Sequence, residues 1–394
     1  MKEIMIVAGE ASGDMHGAGL VAAMTALDPE LHFSGVGDQA LAAQGVEILY
    51  PSRQLAVVGI IEVLSHWREI RAALNGLTRQ LKDKRPSLLI LIDFPDFNLI
   101  LAKRAKKLGI PIFYYISPQV WAWRSGRVRT IARLVDKLAV ILPFEEKFYA
   151  SRGVLQVEFV GHPLVDAVKP DFQSGEFRKQ YGIEPHATVI GILPGSRRRE
   201  ITSILPDFIK TARLLAQQKA PSLSAPPAER LCFLLPLAPT LSPEDLGLTE
   251  DVCHELNIKV IADHRYDLMA ACDLVMTASG TVTLELALLN IPMVVTYRFA
   301  PLTYRLGRML VNVKHASMVN LVADREVVTE LIQDDFTPRT LAEALLAIWP
   351  GTDRHRRVIK DLQEVCARLG PHGASQKAAR LALALLQDKT AEKK

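Results

Sequence analysis

Short runs of unbroken apolar character alternate along the chain with longer segments of helical period. In the first half the runs fall at Glu3–Ala8, Leu31–Val36, Leu88–Asp93, Pro111–Ile116 and Lys137–Leu142, with a helix predicted through Gly17–Leu27. A run such as Leu88–Ile92 (LLILI) does not alternate apolar with polar, the pattern of a strand covered by helices on both faces. Strands of this kind separated by helices predict a parallel, doubly wound sheet. Past Gly161-His162-Pro163 the chain turns polar from Asp166 to Gly182. A second series follows at Thr188–Leu193, Leu231–Pro236, Ile258–Ala262, Asp273–Met276 and Met293–Tyr297. From Thr340 the pattern is helical, with Gly370 and Pro371 parting two helices, the last over Ala374–Gln387. The expected fold class is α/β: two Rossmann-like doubly wound domains, residues 1–165 and 183–370, facing a cleft, then a C-terminal helix and tail, 371–394. Ligands of such sheets bind beyond the carboxyl ends of the strands.

Composition mainly excludes. Of 394 residues 49% are hydrophobic and 23% charged, too apolar for a disordered chain. Lys and Arg number 47 against 43 Asp and Glu, a net +4. That mild bias is no nucleic-acid-binding surplus and implies only weak attraction to anionic ligands or lipid head groups. Cys232, Cys253, Cys272 and Cys366 lack CxxC spacing, so neither a zinc site nor a disulfide framework is signalled. No apolar run is long enough to span a bilayer, and MKEIMIVAGEASGD turns polar and Gly-rich too soon for a signal peptide. A cytoplasmic protein is expected. The stretch Ala220–Ala228 (APSLSAPPA) reads as a surface loop or insertion.

Candidate chemistry gathers where the strands end. The first strand runs into Gly9-Glu10-Ala11-Ser12-Gly13-Asp14, with Gly17 and Gly19 at the expected helix start. Neither GxGxxG nor GxxxxGK[ST] is present, so there is no dinucleotide fingerprint or P-loop. The turn is either a tight strand-to-helix connection with Asp14 near the helix start, or a site where Glu10 and Ser12 hold a substrate hydroxyl. Asp93 terminates Leu88–Ile92, where a partly desolvated carboxylate has its pKa raised toward a general base's range. Asp96 is expected to cap the next helix, with first turn Phe97–Ile100, leaving Asp93 free. The DxxD spacing is not that of a metal-dependent transferase, so no metal is expected.

In the second domain, Thr188–Leu193 leads into Pro194-Gly195-Ser196-Arg197-Arg198-Arg199-Glu200. Arginine forks match phosphate oxygens, and positive charge at a helix N-terminus opposes the macrodipole, so at least one arginine is expected to meet an anion. Farther on, Ser279-Gly280-Thr281 opens a helix on which Glu285 lies one turn deeper. Ser279, Gly280 and Thr281 suit a phosphate and Glu285 a ribose; the plainer reading is a cap and a surface ion pair.

Taken together, VAGEASGD (Val7–Asp14), VVGIIEVL (Val57–Leu64), IDFPDFN (Ile92–Asn98), YYISPQVWAWR (Tyr114–Arg124), LPFEEKFY (Leu142–Tyr149), VGHPLVD (Val160–Asp166), LPGSR (Leu193–Arg197) and SGTVTLE (Ser279–Glu285) resemble the lipid-A-disaccharide synthase family, glycosyltransferases of the two-domain GT-B fold. The resemblance implies transfer of 2,3-diacylglucosamine from UDP to the 6-hydroxyl of 2,3-diacylglucosamine 1-phosphate, with inversion, giving a β-1′,6 disaccharide and UDP. It implies catalytic or substrate roles for Asp93, Glu10, Ser12 and Gly13, and UDP contacts from Ser196, Arg197, Ser279, Gly280, Thr281, Glu285 and Asn320 (in SMVNLVAD). UDP-sugar is a substrate, and no cofactor or metal is implied. The same resemblance has the last helix crossing back to the first domain, with a homodimer as one arrangement. Acylated substrates imply peripheral contact with the inner membrane, for which Leu55–Leu74, with Trp67, Arg68 and Arg71, is the candidate segment; a core helix is the plainer reading. Trp121 and Trp123 suit either core or an acyl groove. His16, His162 and His315 lie near these motifs and read as structural. The alternative is a non-hydrolysing UDP-N-acetylglucosamine 2-epimerase or another GT-B hexosyltransferase.

Overall fold

A computed structural model of the chain describes residues 2–55, 67–122, 126–217, 231–239, 241–298 and 314–391. It divides into two compact units, Met1–Pro163 with Leu369–Lys394, and Leu164–Arg368. In the first unit the elements are β1 (Lys2–Ala8), α1 (Ala11–Leu27), β2 (Leu31–Gly37), α2 (Gln39–Ala43), β3 (Glu47–Pro51), α3 (Trp67–Asp83), β4 (Leu88–Ile92), α4 (Pro95–Lys107), β5 (Ile112–Tyr115), α5 (Arg127–Leu134), β6 (Lys137–Val140), α6 (Pro143–Ala150) and β7 (Val157–Phe159). The second unit holds α7 (Leu164–Ala167), α8 (Ser174–Gln180), β8 (Thr188–Leu193), α9 (Arg198–Gln217), β9 (Leu231–Pro236), α10 (Glu250–Glu255), β10 (Ile258–Ile261), α11 (Arg265–Ala270), β11 (Leu274–Ala278), α12 (Val282–Leu288), β12 (Met293–Tyr297), α13 (Met318–Ala323), β13 (Thr329–Ile332), α14 (Pro338–Ala347) and α15 (Asp353–Arg368). The last helix, α16 (Ala374–Ala391), belongs to the first unit.

Both sheets are parallel and doubly wound. The first has order β3-β2-β1-β4-β5-β6-β7, the second β10-β9-β8-β11-β12-β13. In each, the chain works outward from one strand and then reverses: between β1 and β4 in the first, between β8 and β11 in the second. Register sets Ala8 beside Ile92, and Leu193 beside Thr277. The turns after β1 and β4 therefore flank one switch point, and those after β8 and β11 flank the other, the places where open α/β sheets take ligands. The central strands are sealed: all five residues of LLILI are buried to 0% exposure.

Four expectations change. The helix after β1 begins at Ala11, so Gly17 and Gly19 lie inside it. There they allow close packing: a Cβ on Gly17 would meet Ile92 Cδ1 at 3.0 Å, and one on Gly19 would meet Ser375 Oγ at 3.0 Å. Strands β3, β7 and β13 carry no unbroken apolar run because each is an edge strand of half-buried residues. The polar stretch 166–182 is no free linker. It is built into the second unit, with Phe177 buried and Arg178 donating to Ala271 O at 2.7 Å and to Asp273 Oδ1 at 2.9 Å. The segment before Gly370 forms two helices, α14 and α15, where the pattern suggested one. Along α16 the residues Ala374, Ala378, Ala379, Ala382 and Leu386 are buried, Lys377 Nζ bonds Phe159 O at 2.7 Å, and His162 N–H bonds Leu369 O at 2.8 Å.

Residues 56–66 and 218–230, which include most of the candidate membrane segment and the Pro-rich stretch, lie outside the described residues, as do the side chain of Trp67 and all of Trp123. Arg68 and Arg71 are exposed on α3, whose Leu74, Leu77 and Leu81 enter the core.

Candidate active site

In the first unit the chain leaves β4 through two non-glycine residues with left-handed backbone, Asp93 (φ 42°) and Phe94 (φ 47°). Such residues are each disfavoured by roughly 1–2 kcal/mol, and the neighbours show what holds them. The Phe94 ring occupies the space above Gly9, where a Cβ would lie 2.2 Å from it, so the glycine after β1 exists to admit this ring. The Asp93 carbonyl accepts from Tyr114 Oη at 2.5 Å and Asn98 Nδ2 at 2.8 Å, and its N–H donates to Ile116 O at 3.2 Å. Burial, and secondly the like charge of Glu10 across the switch point, push the Asp93 carboxyl up to about 6. Glu10 itself is half-buried at the start of α1.

Of the residues after Glu10, Ser12 is exposed and Gly13 is buried beneath it. Asp14 is structural: its carboxylate accepts from Asp38 N at 2.6 Å and Ala40 N at 2.9 Å, fastening the start of α2. Asp96 does not cap α4, because that helix begins at Pro95. Asp96 lies in the first turn and pairs with Arg127.

The adjoining turns are firmly held. Ser117 Oγ and Trp121 Nε1 donate to Glu145 Oε1 at 2.9 and 3.0 Å, and Leu142 N to Glu145 Oε2 at 3.1 Å. Glu145 is fully enclosed, and burial pushes its carboxyl up to about 7. Trp121 is thus anchored to α6 by its indole and packs edge-on to Phe144. Burial lowers His16 to about 4 and His162 to about 3, the latter also through His16, so both imidazoles are neutral at pH 7. His315 is half-buried in the second unit.

In the second unit the turn after β8 meets an anion of its own. Gly195 has φ 116°, and the N–H groups of Ser196 and Arg197 donate to Glu200 Oε2 at 3.0 and 3.3 Å. Arg198 pairs with Asp245 at 2.8 Å, while the Arg197 side chain is 59% exposed and only 3.8 Å from Glu200. After β11, Gly280 and Thr281 are exposed, whereas the Ser279 hydroxyl donates to Ala316 O at 2.8 Å. Glu285 is buried and paired with exposed Arg265; burial raises its carboxyl and the guanidinium opposes that shift.

Asn320 differs from what its place in SMVNLVAD implied. Its Nδ2 donates to Val328 O and Glu330 Oε1, both at 2.8 Å, and its Oδ1 accepts from Val327 N at 2.7 Å and Val328 N at 3.0 Å. A fully buried amide with every hydrogen-bonding position used inside the protein has none left for a nucleotide. Among the described residues one group, Asp171, His264 and Asp267, brings potential metal-ligand atoms within 4.8 Å of one another. There Asp267 already accepts from Phe172 N at 2.6 Å.

The residues that sequence reasoning left unassigned are Gly9, Phe94, Asn98, Tyr114, Glu145, Glu200 and Arg265. Gly9, Phe94, Asn98, Tyr114 and Glu145 fall in the strings VAGEASGD, IDFPDFN, YYISPQVWAWR and LPFEEKFY, and Glu200 closes the turn after Thr188–Leu193, but none of these strings said what the residue holds.

A family model for lipid-A-disaccharide synthetase matches residues 4–385. The chain belongs to that family. It is 45% identical over 386 residues to lipid-A-disaccharide synthase of Trichlorobacter lovleyi and 44% identical over 388 residues to that of Geobacter metallireducens, each match covering 98% of both chains. Among solved structures it is similar to a putative UDP-N-acetylglucosamine 2-epimerase from Listeria monocytogenes, with TM-score 0.63 and 13% identity, covering 100% of this chain and 98% of that one. It is also similar to the calicheamicin glycosyltransferase CalG4, with TM-score 0.60 and 15% identity, covering 99% of each. These likenesses give the fold, two doubly wound α/β units of the GT-B kind. The family comes from the sequence matches.

Proposed function

We propose that the chain is an inverting glycosyltransferase that moves 2,3-diacylglucosamine from UDP to the 6-hydroxyl of 2,3-diacylglucosamine 1-phosphate. The observation that carries this reading is a family match running from residue 4 to residue 385, within which Asp93 has the position and raised pKa of a general base. Asp93 accepts the proton of the acceptor hydroxyl as that oxygen forms its bond to the anomeric carbon and the bond from that carbon to the UDP oxygen breaks. UDP leaves with the bonding pair, the configuration inverts, and a positioned base contributes about 10²–10⁴ in rate. Glu10 keeps Asp93 basic by like charge, and Ser12 and Gly13 border the acceptor.

UDP is held at the carboxyl edge of the second sheet. Arg197 reaches the diphosphate, the open backbone at Gly280 and Thr281 approaches the phosphates, and Glu285 with Arg265 faces the ribose. Ser196 and Ser279 shape these turns through their backbones. Positive charge from arginine stabilises the negative charge that develops on the departing UDP without a metal, so EDTA is expected to leave the rate within about twofold. No helix among the described residues is long and apolar enough to cross a membrane, and substrates carrying acyl chains partition into bilayers at about 0.8 kcal/mol per buried CH₂. The enzyme accordingly works peripherally at the cytoplasmic face of the inner membrane.

UDP release in detergent micelles tests the reading, with UDP-diacylglucosamine given alone and with diacylglucosamine 1-phosphate. Acceptor-dependent release is expected. Epimerisation of soluble UDP-N-acetylglucosamine with the acylated pair ignored would overturn the reading.

A further inference from the structure

The turn that carries Asp93 is fixed by buried polar groups that the proton transfer itself does not use. Asn98 is 0% exposed and is the fourth residue of α4, inside the helix and past its N-cap at Phe94. Its amide hydrogens go to two carbonyls, Asp93 O at 2.8 Å and Ile92 O at 3.1 Å, and its Oδ1 has no hydrogen-bond partner. A leucine would fill this space without burying an unsatisfied acceptor, so packing does not explain the residue. Tyr114, also 0% exposed, donates to the same Asp93 oxygen at 2.5 Å, and burial raises its phenol well above the ordinary range, which keeps it a donor. Two donors thus converge on one carbonyl, at the first of two left-handed residues whose second seats its ring over Gly9.

We infer that Asn98 and Tyr114 are positioning residues: by holding the Asp93 carbonyl they keep the 93–94 peptide left-handed and so aim the Asp93 carboxylate off the strand end toward Glu10. The inference rests on Asp93 being the base. Without the two donors the peptide relaxes, the carboxylate swings toward solvent, and both the burial and the like charge that raise its pKa are lost.

The test compares the full-length enzyme with Asn98→Ala, Tyr114→Phe and the double variant. It reads kcat, KM for each substrate, the pH profile of kcat, and titration of Asp93 by carboxyl ¹³C NMR, with Asp93→Asn assigning the resonance. Asn98→Ala is expected to lower kcat about 10- to 100-fold and Tyr114→Phe about 3- to 10-fold, with both KM values within about threefold. The double variant falls short of the product of the singles because both act on one oxygen. The acidic limb and the NMR titration both move down from about 6. Folded variants with an unmoved Asp93 titration, or with raised KM and intact kcat, overturn the inference. If Asn98→Ala does not fold, Tyr114→Phe, which removes a single oxygen, decides by the same criteria. The titration needs no turnover: a wild type without acceptor-dependent UDP release sinks the functional reading, whereas an active wild type whose Asp93 titration ignores both substitutions sinks the positioning alone.

Discussion

The turns flanking the switch point of the first sheet and those flanking the switch point of the second occupy the same place in the same strand order, yet they are made of opposite materials. Around Asp93 the charged group is desolvated, its backbone is left-handed and its neighbours are neutral donors. Around Arg197 the cations are exposed, and carboxylates of the protein, Glu200 and Asp245, sit against the turn and its first helical residue. Burial is what gives one carboxylate its basicity. Exposure is what leaves the Arg197 guanidinium open to solvent. One topology hosts both because the switch point supplies only a place, and the turn sequence supplies the chemistry.

The sharpest way to break this comparison is Asp93→Asn, expected to lower kcat about 10²- to 10⁴-fold with KM for the UDP-sugar nearly unchanged; steady-state kinetics with a KM shift and intact kcat would reverse the assignment. The same substitution should stabilise the protein at pH 7. Its folded pKa of about 6 lies above the ordinary 3.8, so the native state binds more protons between those values and stability is lost as pH rises through that window, by about 2–3 kcal/mol. Denaturant midpoints across pH 4–8 should lose that part of the slope in the variant, while the contributions of Glu145, His16 and His162 stay. Next in size, Asn320→Ala is expected to cost roughly 2–4 kcal/mol of stability. A normal midpoint with lost UDP affinity would return that residue to the nucleotide site. Arg197→Ala should weaken UDP binding by about 1.5–3 kcal/mol, roughly 10- to 150-fold, and reduce its salt sensitivity, as isothermal titration at two ionic strengths would reveal. Smallest is the pH profile of the wild type: Asp93 must be ionised to act, so kcat climbs with pH through about 6 and levels above it.

Much of the architecture was legible in the chain because central parallel strands are buried on both faces and leave runs such as LLILI. The edge strands EILYP, VEF and TELI were not, since a half-buried edge needs no such run. Asp93 was legible as a strand-terminal carboxylate. What the chain could not reveal was its support: Tyr114 reads as one more apolar-run residue, and Asn98 as an ordinary helix-start residue, until the fold brings both to one carbonyl oxygen. Asn320 shows the complementary gap, because family position does not disclose that a side chain's hydrogen-bonding capacity is used internally.

The return of α16 to the first unit has a consequence for how the polypeptide is made. The second unit, Leu164–Arg368, interrupts the first in sequence, so a ribosome has finished all of it before releasing the buried alanines of α16, which packs on α1, β5 and β6. The inserted unit is free to mature while its host still lacks its final piece. Clipping the chain after Arg368 would therefore wound the unit whose synthesis begins first and ends last, and spare the one inserted into it.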